Sequence, residues 1–256
     1  MPERDRIDRL LVERGLAPTR TRAQALVVAG KVVVAGHRVD KPGTMVAKDA
    51  EVVVRGADHP YVSRGGVKLA GALDTFAELV VAEKIAIDIG ASTGGFTDCL
   101  LQRGVARVHA VDVGYGQLAW ALVQDPRVVV HDRCNIRTLA QSVIGEPVAL
   151  AVIDCSFIAL AKVLPHVPRF LSADADVVAL VKPQFELDPS RIGKGGIVKD
   201  DADREEALAR AGEVADACGL RRLGSCDSAI SGSDGNRELF LWLRWTGSVP
   251  AREPDA

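Results

Sequence analysis

Short apolar runs alternate with amphipathic stretches through most of this chain. The apolar runs, rich in valine and isoleucine, predict buried strands at Lys84–Asp88, Val108–Asp112, Val128–Val130, Val148–Asp154 and Val177–Lys182. Apolar positions spaced as on one face of a helix predict helices at Val67–Val80, Phe96–Gln102, Gln117–Val123, Ile158–Phe170 and Arg204–Cys218. This regular alternation is typical of a doubly wound parallel sheet.

Two more strands close the predicted sheet, at Leu223–Ala229 and Glu238–Trp245. The short turn between them, Ser231–Asn236, predicts a hairpin. One strand of the pair must then run against the others, so we expect an α/β fold whose sheet is mostly parallel, with the last strand antiparallel. The tail over residues 247–256 is predicted to be flexible.

The first 59 residues follow a different pattern. Two short helices are predicted from apolar stripes at Ile7, Leu10 and Leu11 and at Ala23, Leu26 and Val27. A small sheet is predicted from strands at Lys31–Val34, around Val39 and at Glu51–Arg55. We therefore expect a small α+β domain over residues 1–59, a proline- and glycine-punctuated linker over 60–66, and a large domain over 67–246.

Composition limits the class of protein. Hydrophobic residues make up 48% of the chain, which is ample for a packed core, and the five cysteines form no C-x-x-C pair. No apolar stretch approaches the ~20 residues that span a bilayer, and the N-terminus lacks the apolar segment of a signal peptide. We therefore expect a cytoplasmic protein with reduced thiols and no membrane association. The five histidines are too scattered to predict a metal site.

A glycine-containing turn follows the first predicted strand of the large domain. The segment Asp88-Ile89-Gly90-Ala91-Ser92-Thr93-Gly94-Gly95-Phe96 misses the G-x-G-x-x-G spacing of dinucleotide-binding folds. It resembles D-x-G-x-x-x-G, the first motif of S-adenosylmethionine methyltransferases. That resemblance implies an S-adenosylmethionine site, with Asp112, at the end of the next strand, as the partner of the ribose hydroxyls. The residues assigned to it are Asp88, Gly90, Ser92, Gly94, Phe96, Asp112, Asp132 and Asp154.

Four charged residues are predicted to converge at one edge of the sheet: Lys68, Asp154, Lys182 and Glu238. Their order resembles the K-D-K-E tetrad of RNA ribose 2′-O-methyltransferases. That resemblance implies that Lys182 is the general base for the 2′-hydroxyl, while Asp154 and Glu238 orient the lysines. A base must be neutral, a state that the neighbouring cation Lys68 and partial removal from water both favour. Alternatively, Lys68 is a surface lysine and Glu238 pairs with Arg237 or Arg244.

The N-terminal segment carries excess basic charge. Residues 1–60 hold 11 lysines and arginines against 8 acidic residues, although the whole chain has a net charge of −2. The segments Arg6-Ile7-Asp8, Thr19-Arg20-Thr21-Arg22-Ala23, Gly30-Lys31-Val32 and Val39-Asp40-Lys41-Pro42-Gly43 resemble the small S4-like RNA-binding domain. This implies phosphate contacts, which guanidinium and ammonium groups make well. The residues are Arg6, Arg20, Arg22, Lys31 and Lys41, with Arg64 added from the linker. A solvated helical face is the alternative.

Further segments are similar to one family over nearly the full length, the haemolysin A-like ribosomal RNA methyltransferases called TlyA. They are Tyr61-Val62-Ser63-Arg64-Gly65-Gly66, Asp112–Trp120, Ser156-Phe157-Ile158, Lys182-Pro183-Gln184-Phe185-Glu186 and Gly235-Asn236. The resemblance implies transfer of a methyl group from S-adenosylmethionine to the ribose 2′-oxygen of cytidine in large-subunit ribosomal RNA.

The same resemblance implies several finer expectations. Some family members also methylate the small subunit, and methylation affects sensitivity to tuberactinomycin antibiotics such as capreomycin and viomycin. The longer members that do so carry a helical C-terminal extension, whereas this chain stops soon after Trp245. Phe157 would stack on a flipped base, with a core aromatic as the alternative. Ribosomal RNA within ribosomal subunits is the expected partner, and a monomer is the expected state.

Other candidate functions require different sequence features. Base N-methylation uses an Asn/Asp-Pro-Pro-aromatic loop, but the corresponding place reads Asp154-Cys155-Ser156-Phe157. Cytosine C5-methylation needs a nucleophilic cysteine, commonly after proline, and Cys155 lacks that context. A secreted cytolysin, suggested by the family's haemolysin name, has no support from a signal peptide. A ribosome-assembly factor that binds RNA without catalysis stays open.

Overall fold

The computed structural model describes residues 3–17, 19–55, 59–232 and 234–247. The chain divides into two compact units, Met1–Pro60 and Tyr61–Ala256, and each is described by itself. The tail predicted to be flexible falls, apart from Gly247, outside the described residues.

The first unit joins two short helices to two small antiparallel sheets. The elements are β1 (Arg4–Arg6), α1 (Ile7–Glu13), α2 (Arg20–Val28), β2 (Val32–Val34), β3 (His37–Val39), β4 (Met45–Ala47) and β5 (Val52–Val54). Helix α1 and helix α2 pack against each other, and their apolar stripes meet the buried faces of the strands. Strand β1 pairs with β4, and β2 lies between β3 and β5. The sequence patterns missed β1 and β4, which are three residues each.

The second unit is built on a seven-stranded sheet. The strands are β6 (Ile85–Ile89), β7 (Arg107–Val111), β8 (Val128–His131), β9 (Val148–Ile153), β10 (Leu171–Val181), β11 (Leu220–Asp227) and β12 (Leu239–Trp245). Their order in the sheet is β11-β12-β10-β9-β6-β7-β8. Strands β6 to β10 are parallel, whereas β12 is antiparallel to both β10 and β11. The predicted mostly parallel sheet with an antiparallel last strand is confirmed.

Helices cover both faces of this sheet. Because successive side chains of a strand point to opposite faces, Leu150 and Val152 pack on one side while Ala151 and Ile153 pack on the other. The helices are α3 (Arg64–Thr75), α4 (Gly95–Gln102), α5 (Trp120–Val123), α6 (Gln141–Ile144), α7 (Pro183–Glu186) and α8 (Asp201–Ala217). The first side of the sheet is covered by α3 and α4, and the second side by α8.

The segment predicted as one helix over Ile158–Phe170 is instead three successive 3₁₀ turns, so this prediction was wrong. The turns are Leu160–Lys162, Leu164–His166 and Pro168–Phe170. Pro165 and Pro168 lie at the starts of the second and third turns. A proline has no N–H group to donate and restricts the residue before it, so a continuous α-helix cannot pass through them.

Helix α3 begins at Arg64, inside the stretch predicted as a linker, and ends at Thr75 rather than at Val80. Its first turn packs tightly, because a Cβ atom on Gly66 would lie 2.2 Å from the side chain of Tyr61. After the helix, Phe76 turns into the core against Trp242, with 5.5 Å between ring centroids. Glycines that look like linker residues in the sequence therefore serve helix packing.

A buried carboxylate, Asp176, joins several elements midway along β10, where the pairing of this strand with β12 begins. Lys84 Nζ donates to its Oδ2 at 2.7 Å, and Trp242 Nε1 donates to its Oδ1 at 2.9 Å. Arg244 Nε and Nη2 also donate to Oδ1, at 3.0 and 2.8 Å. These donors offset the burial of the carboxylate and hold its pKa below the usual range, although burial alone would raise it. Asp176 therefore ties β10 to β12 and to the residue before β6.

None of the helices over the described ranges has the length and hydrophobicity needed to cross a membrane.

Candidate active site

The carboxyl-terminal edge of the parallel strands gathers the charged residues that the sequence predicted there. Asp154 follows β9 and Lys182 follows β10, and these two strands are neighbours. Glu238 precedes β12, whose antiparallel direction brings its start to the same edge. Lys68 reaches this edge from the first half of α3.

The four residues form two ion pairs. Lys182 Nζ lies 2.5 Å from Asp154 Oδ1, and Lys68 Nζ lies 2.6 Å from Glu238 Oε2. Both lysines are buried, each 8% exposed, and Glu238 is 3% exposed. Arg237 pairs instead with Asp227 and Asp201, and Arg244 pairs with Asp176. The alternative placement of Glu238 beside either arginine is therefore wrong.

Two cavities open side by side at this edge. The first, which we call the lysine cavity, has a volume of about 430 Å³ and is lined by Arg64, Lys68, Phe96 and Lys182 among others. The second, the Asp112 cavity, has a volume of about 500 Å³ and an apolar floor that includes Ile136. Four residues line both cavities: Gly90, Ser92, Asp154 and Ser156. A group bound in one cavity would therefore lie beside a group bound in the other.

Glycine geometry shapes the wall between the cavities. Gly90 has φ +88°, and a Cβ atom there would lie 2.5 Å from the main-chain oxygen of Asp154. Gly94 has φ +96°, and a Cβ atom there would lie 2.3 Å from the side chain of Leu122. L side chains rarely adopt this backbone region, so only glycine fits both positions without strain. Gly94 is buried beneath the turn and does not line either cavity.

Asp112 lies at the end of β7, as the sequence predicted. Ser92 N donates to its Oδ2 at 2.8 Å, and Gly114 N donates to its Oδ1 at 2.7 Å. Two amide donors orient the carboxylate, which lines the cavity named after it. Asp132 lies after β8 outside the lining of both cavities, where its Oδ2 accepts from Gly116 N at 2.9 Å. Asp132 therefore supports the loop beside the cavity.

Asp88, predicted to bind the cofactor, is fully buried on β6 and lines neither cavity. Its Oδ2 accepts from Thr97 N at 2.9 Å and from Thr97 Oγ1 at 2.7 Å, while its Oδ1 has no hydrogen-bond partner among the described residues. Burial raises the pKa of Asp88 to about 7, against the lowering effect of Thr97. In this structure Asp88 anchors the first turn of α4 and so positions the glycine turn.

The raised pKa of Asp88 predicts a change of stability with pH. Between the usual pKa of an aspartate and about 7, the folded chain holds a proton that the unfolded chain releases, so stability falls as pH rises. The full difference is about 4 kcal/mol, from roughly three pH units at 1.36 kcal/mol each. Asp88→Asn should remove this dependence. Urea unfolding at pH 5, 6.5 and 8 measures the free energy of unfolding of both proteins. The same change with pH in both proteins would contradict this prediction.

The alternative nucleophile Cys155 is unsuited to covalent catalysis. Burial, aided by the charge of Asp154, raises the pKa of the Cys155 thiol to about 12. A cysteine nucleophile reacts as the thiolate, which this environment suppresses. Cytosine C5-methylation through Cys155 is therefore disfavoured.

An exposed aromatic residue stands on the rim of the Asp112 cavity. Phe157 is 90% exposed and has φ +63°, a strained value for a side-chain-bearing residue. Its ring centroid lies 5.4 Å from that of Phe185, which follows Lys182 in α7. The alternative of a core aromatic is wrong for Phe157.

In the first unit, two of the predicted RNA-binding arginines share one buried carboxylate. Asp8 accepts from Arg6 Nε and Arg20 Nε at 3.0 Å each, and from Gln24 Nε2 at 2.9 Å. These hydrogen bonds, of which the one from Arg6 has the largest effect, hold the pKa of Asp8 below its usual range. The arginine side chains keep 40% and 55% of their surface exposed. Arg22 and Lys41 are exposed, and Lys31 is half-buried.

Sequence reasoning missed three supporting residues. Thr97 donates to Asp88, and Ser156 Oγ accepts from Lys182 Nζ at 2.8 Å. Asn236 is buried, where its Oδ1 accepts from Val198 N and its Nδ2 donates to Gly196 O, both at 2.8 Å. Asn236 thus ties the loop after β10 to the segment before β12. Ser156 and Asn236 lie in segments that resemble the family, but no local pattern indicated the role of any of the three.

Comparison with known proteins agrees with this geometry. Residues 61–245 match the FtsJ-like methyltransferase family, and residues 5–52 match the S4 domain. The 16S/23S rRNA (cytidine-2'-O)-methyltransferase TlyA of Mycobacterium tuberculosis (strain ATCC 25618 / H37Rv) is 49% identical over 245 residues, covering 95% of this chain and 91% of the relative. YqxC of Bacillus subtilis (strain 168), provisionally described as an rRNA methyltransferase, is 48% identical over 247 residues, covering 96% of this chain and 87% of the relative.

A solved structure from Streptococcus thermophilus, provisionally described as a hemolysin, superposes with a TM-score of 0.75 at 43% identity. The similarity covers 97% of this chain and 90% of that one. The resemblances stated from the sequence motifs are thereby confirmed at the level of family and fold. The chain belongs to the FtsJ-like methyltransferase family, with an S4 domain at its N-terminus, and is a homologue of the TlyA proteins.

Proposed function

We propose that this enzyme transfers a methyl group from S-adenosylmethionine to the ribose 2′-hydroxyl of a cytidine in ribosomal RNA. The observation that carries the proposal is the position of Lys182. It lines the lysine cavity with its Nζ held at 2.5 Å by Asp154, and Asp154 lines both cavities. A hydroxyl in the lysine cavity would therefore have a base beside it and a methyl donor in the adjoining cavity.

The residues present suit S-adenosylmethionine. Gly90 lines both cavities, where the lack of a Cβ atom leaves the backbone open to a ligand, and Asp112 offers a carboxylate to ribose hydroxyls at the end of the second strand. Ile136 and Val113 provide apolar surface in the same cavity. When bound, this cofactor supplies an activated methyl group on a sulfonium ion, so that the protein contributes chiefly positioning.

The two ion pairs then have distinct roles. Lys182 takes the proton of the 2′-hydroxyl, and Asp154 stabilises the ammonium that results. Lys68 lines the same cavity and supplies a second cation beside the reacting groups. Glu238 does not line the cavity and compensates the charge of Lys68 from behind.

The remaining predicted residues support RNA binding in this proposal. Arg64 lines the lysine cavity, where it can meet a backbone phosphate of the target strand. Phe157 is exposed on the rim of the Asp112 cavity and can stack on a base that has left the helix. The S4 domain would hold neighbouring RNA through Arg6, Arg20, Arg22, Lys31 and Lys41.

Asp112→Ala should weaken S-adenosylmethionine binding about tenfold to a hundredfold, since hydrogen bonds to a charged group contribute about 1.5–3 kcal/mol. The variant also frees Ser92 N and Gly114 N, which now donate to this carboxylate. Isothermal titration calorimetry measures the affinity. Asp216→Ala, at an exposed position on α8, is the matched control and should bind normally. Unaltered affinity in Asp112→Ala would remove Asp112 from the cofactor site.

Arg22→Ala should weaken RNA binding and reduce the slope of log K against log salt by about 0.7–0.9, the value for one lost phosphate contact. Arg22 is exposed, so the change should leave folding intact. Filter binding to ribosomal RNA fragments from 50 to 200 mM salt provides the measurement. Lys48→Ala is the control, because Glu3 neutralises that ammonium at 2.6 Å. An unchanged slope for Arg22→Ala would argue against docking through this face.

The decisive experiment is methylation with labelled S-adenosylmethionine. Separately purified ribosomal subunits and their naked RNAs are incubated with the enzyme, and the digested nucleosides are identified by mass spectrometry. New 2′-O-methylcytidine in one of these substrates is the expected result and identifies the subunit. Methyl groups on a base, or on the ribose of another nucleoside only, would overturn the proposal.

A non-catalytic ribosome-assembly factor is the second candidate, favoured by the S4 domain alone. It predicts RNA binding that does not depend on S-adenosylmethionine and no incorporation of label. The same assay separates the two functions.

A further inference from the structure

Ser156 is a second oxygen partner of Lys182. Lys182 Nζ donates to Ser156 Oγ at 2.8 Å, and its ion pair with Asp154 spans 2.5 Å. Ser156 belongs to the turn after β9 and lines both cavities. The nitrogen of Lys182, which lines the lysine cavity, therefore has two oxygen neighbours.

These two contacts differ in geometry. Ser156 Oγ accepts a hydrogen bond from Lys182 Nζ, whereas Asp154 Oδ1 lies within ion-pair distance of the same nitrogen but has no hydrogen-bond partner among the described residues. The attraction of a carboxylate depends little on rotation about the Cε–Nζ bond, but a hydrogen bond fixes the direction of one N–H group. Ser156 therefore restricts the rotation of the amine, while Asp154 compensates its charge.

We propose that Ser156 is a positioning residue that orients the Lys182 amine for the 2′-hydroxyl. This inference rests on the proposed function. When Lys182 acts as a base, two of the three positions around Nζ beyond Cε hold hydrogens and one holds the lone pair that accepts the proton. The ion pair with Asp154 alone would let these positions exchange by rotation, so that an N–H group would often face the substrate. The hydrogen bond to Ser156 occupies one N–H group and reduces that unreactive fraction.

A direct contact between Ser156 and the reactants is the competing explanation, since Ser156 faces both cavities. Such a contact would strengthen binding of the cofactor or of the RNA and would change KM. A positioning role acts only on the reacting complex and changes kcat.

Three variants separate these explanations. Ser156→Ala should lower kcat about tenfold to a hundredfold, the effect of losing one hydrogen bond to a charged partner. Its KM values for S-adenosylmethionine and RNA should stay within about twofold. Ser156→Thr keeps the hydroxyl and should recover most of kcat. Ser190→Ala, at an exposed serine outside both cavities, should match the wild type.

The double variant Lys182→Ala with Ser156→Ala completes the test in single-turnover assays. If Ser156 acts through Lys182, the double variant should be no slower than Lys182→Ala alone. A further tenfold loss, a raised KM or an unchanged kcat in Ser156→Ala would each overturn the inference. Failure of the proposed function would differ, because the wild type would then form no 2′-O-methylcytidine or Lys182→Ala would keep full activity.

Discussion

Lys182→Ala is expected to lower the rate of methyl transfer by about 10²- to 10⁴-fold, the contribution of a positioned general base. Affinity for S-adenosylmethionine should change little, because Lys182 lines the lysine cavity and not the Asp112 cavity. Single-turnover methylation measures the first quantity and calorimetry the second. The effect should appear in kcat, since the proton moves only during reaction.

Lys182→Met and Lys162→Met serve as controls for this prediction. Lys182→Met keeps most of the apolar stem and should be as inactive as Lys182→Ala. Lys162 is exposed in the 3₁₀ turn Leu160–Lys162, and its replacement should leave the rate unchanged. If Lys182→Ala retained more than about a tenth of the wild-type rate, the base would have to be another group.

Lys68→Met is expected to lower the free energy of unfolding by about 3–5 kcal/mol, because it leaves Glu238 buried without a cation. It should also abolish methyl transfer, since the second cation of the lysine cavity is lost. Denaturant unfolding and the methylation assay measure the two effects separately.

The double variant Lys68→Met with Glu238→Gln distinguishes folding from chemistry. It removes both charges, so most of the lost stability should return, as seen when buried ion pairs are replaced by neutral groups. Activity should stay low, because the lysine cavity still lacks its second cation. Recovery of activity together with stability would show that the pair serves only the fold.

Residues with a strong local pattern were predictable from the sequence. Parallel strands bury both faces and appear in the sequence as continuous apolar runs, so that their ends can be located. These strand ends placed Asp112, Asp154 and Lys182 at one edge of the sheet. The hairpin turn before Glu238 fixed the direction of β12 and hence the side on which Glu238 emerges. The core of the site follows from these two rules.

Residues whose roles depend on tertiary contacts were not predictable. The motif suggested that Asp88 meets the cofactor, but the side chain points beneath α4 and bonds to Thr97 instead. Ser156 lies one turn from the strand end, and nothing in its local pattern indicates the approach of Lys182. The proline-interrupted segment before β10 has helical spacing of apolar residues, but backbone chemistry overrides that spacing.

The carboxylate of Asp176 separates structural charges from reactive charges along β10. Its donors from Lys84, Trp242 and Arg244 meet it midway along the strand, where pairing with β12 begins, whereas the reactive charges follow the end of the strand. Changes near Asp176 should therefore alter the stability of the domain more than its chemistry. The enzyme can adapt its heat tolerance and its chemistry by mutations at two separate positions along one β-strand.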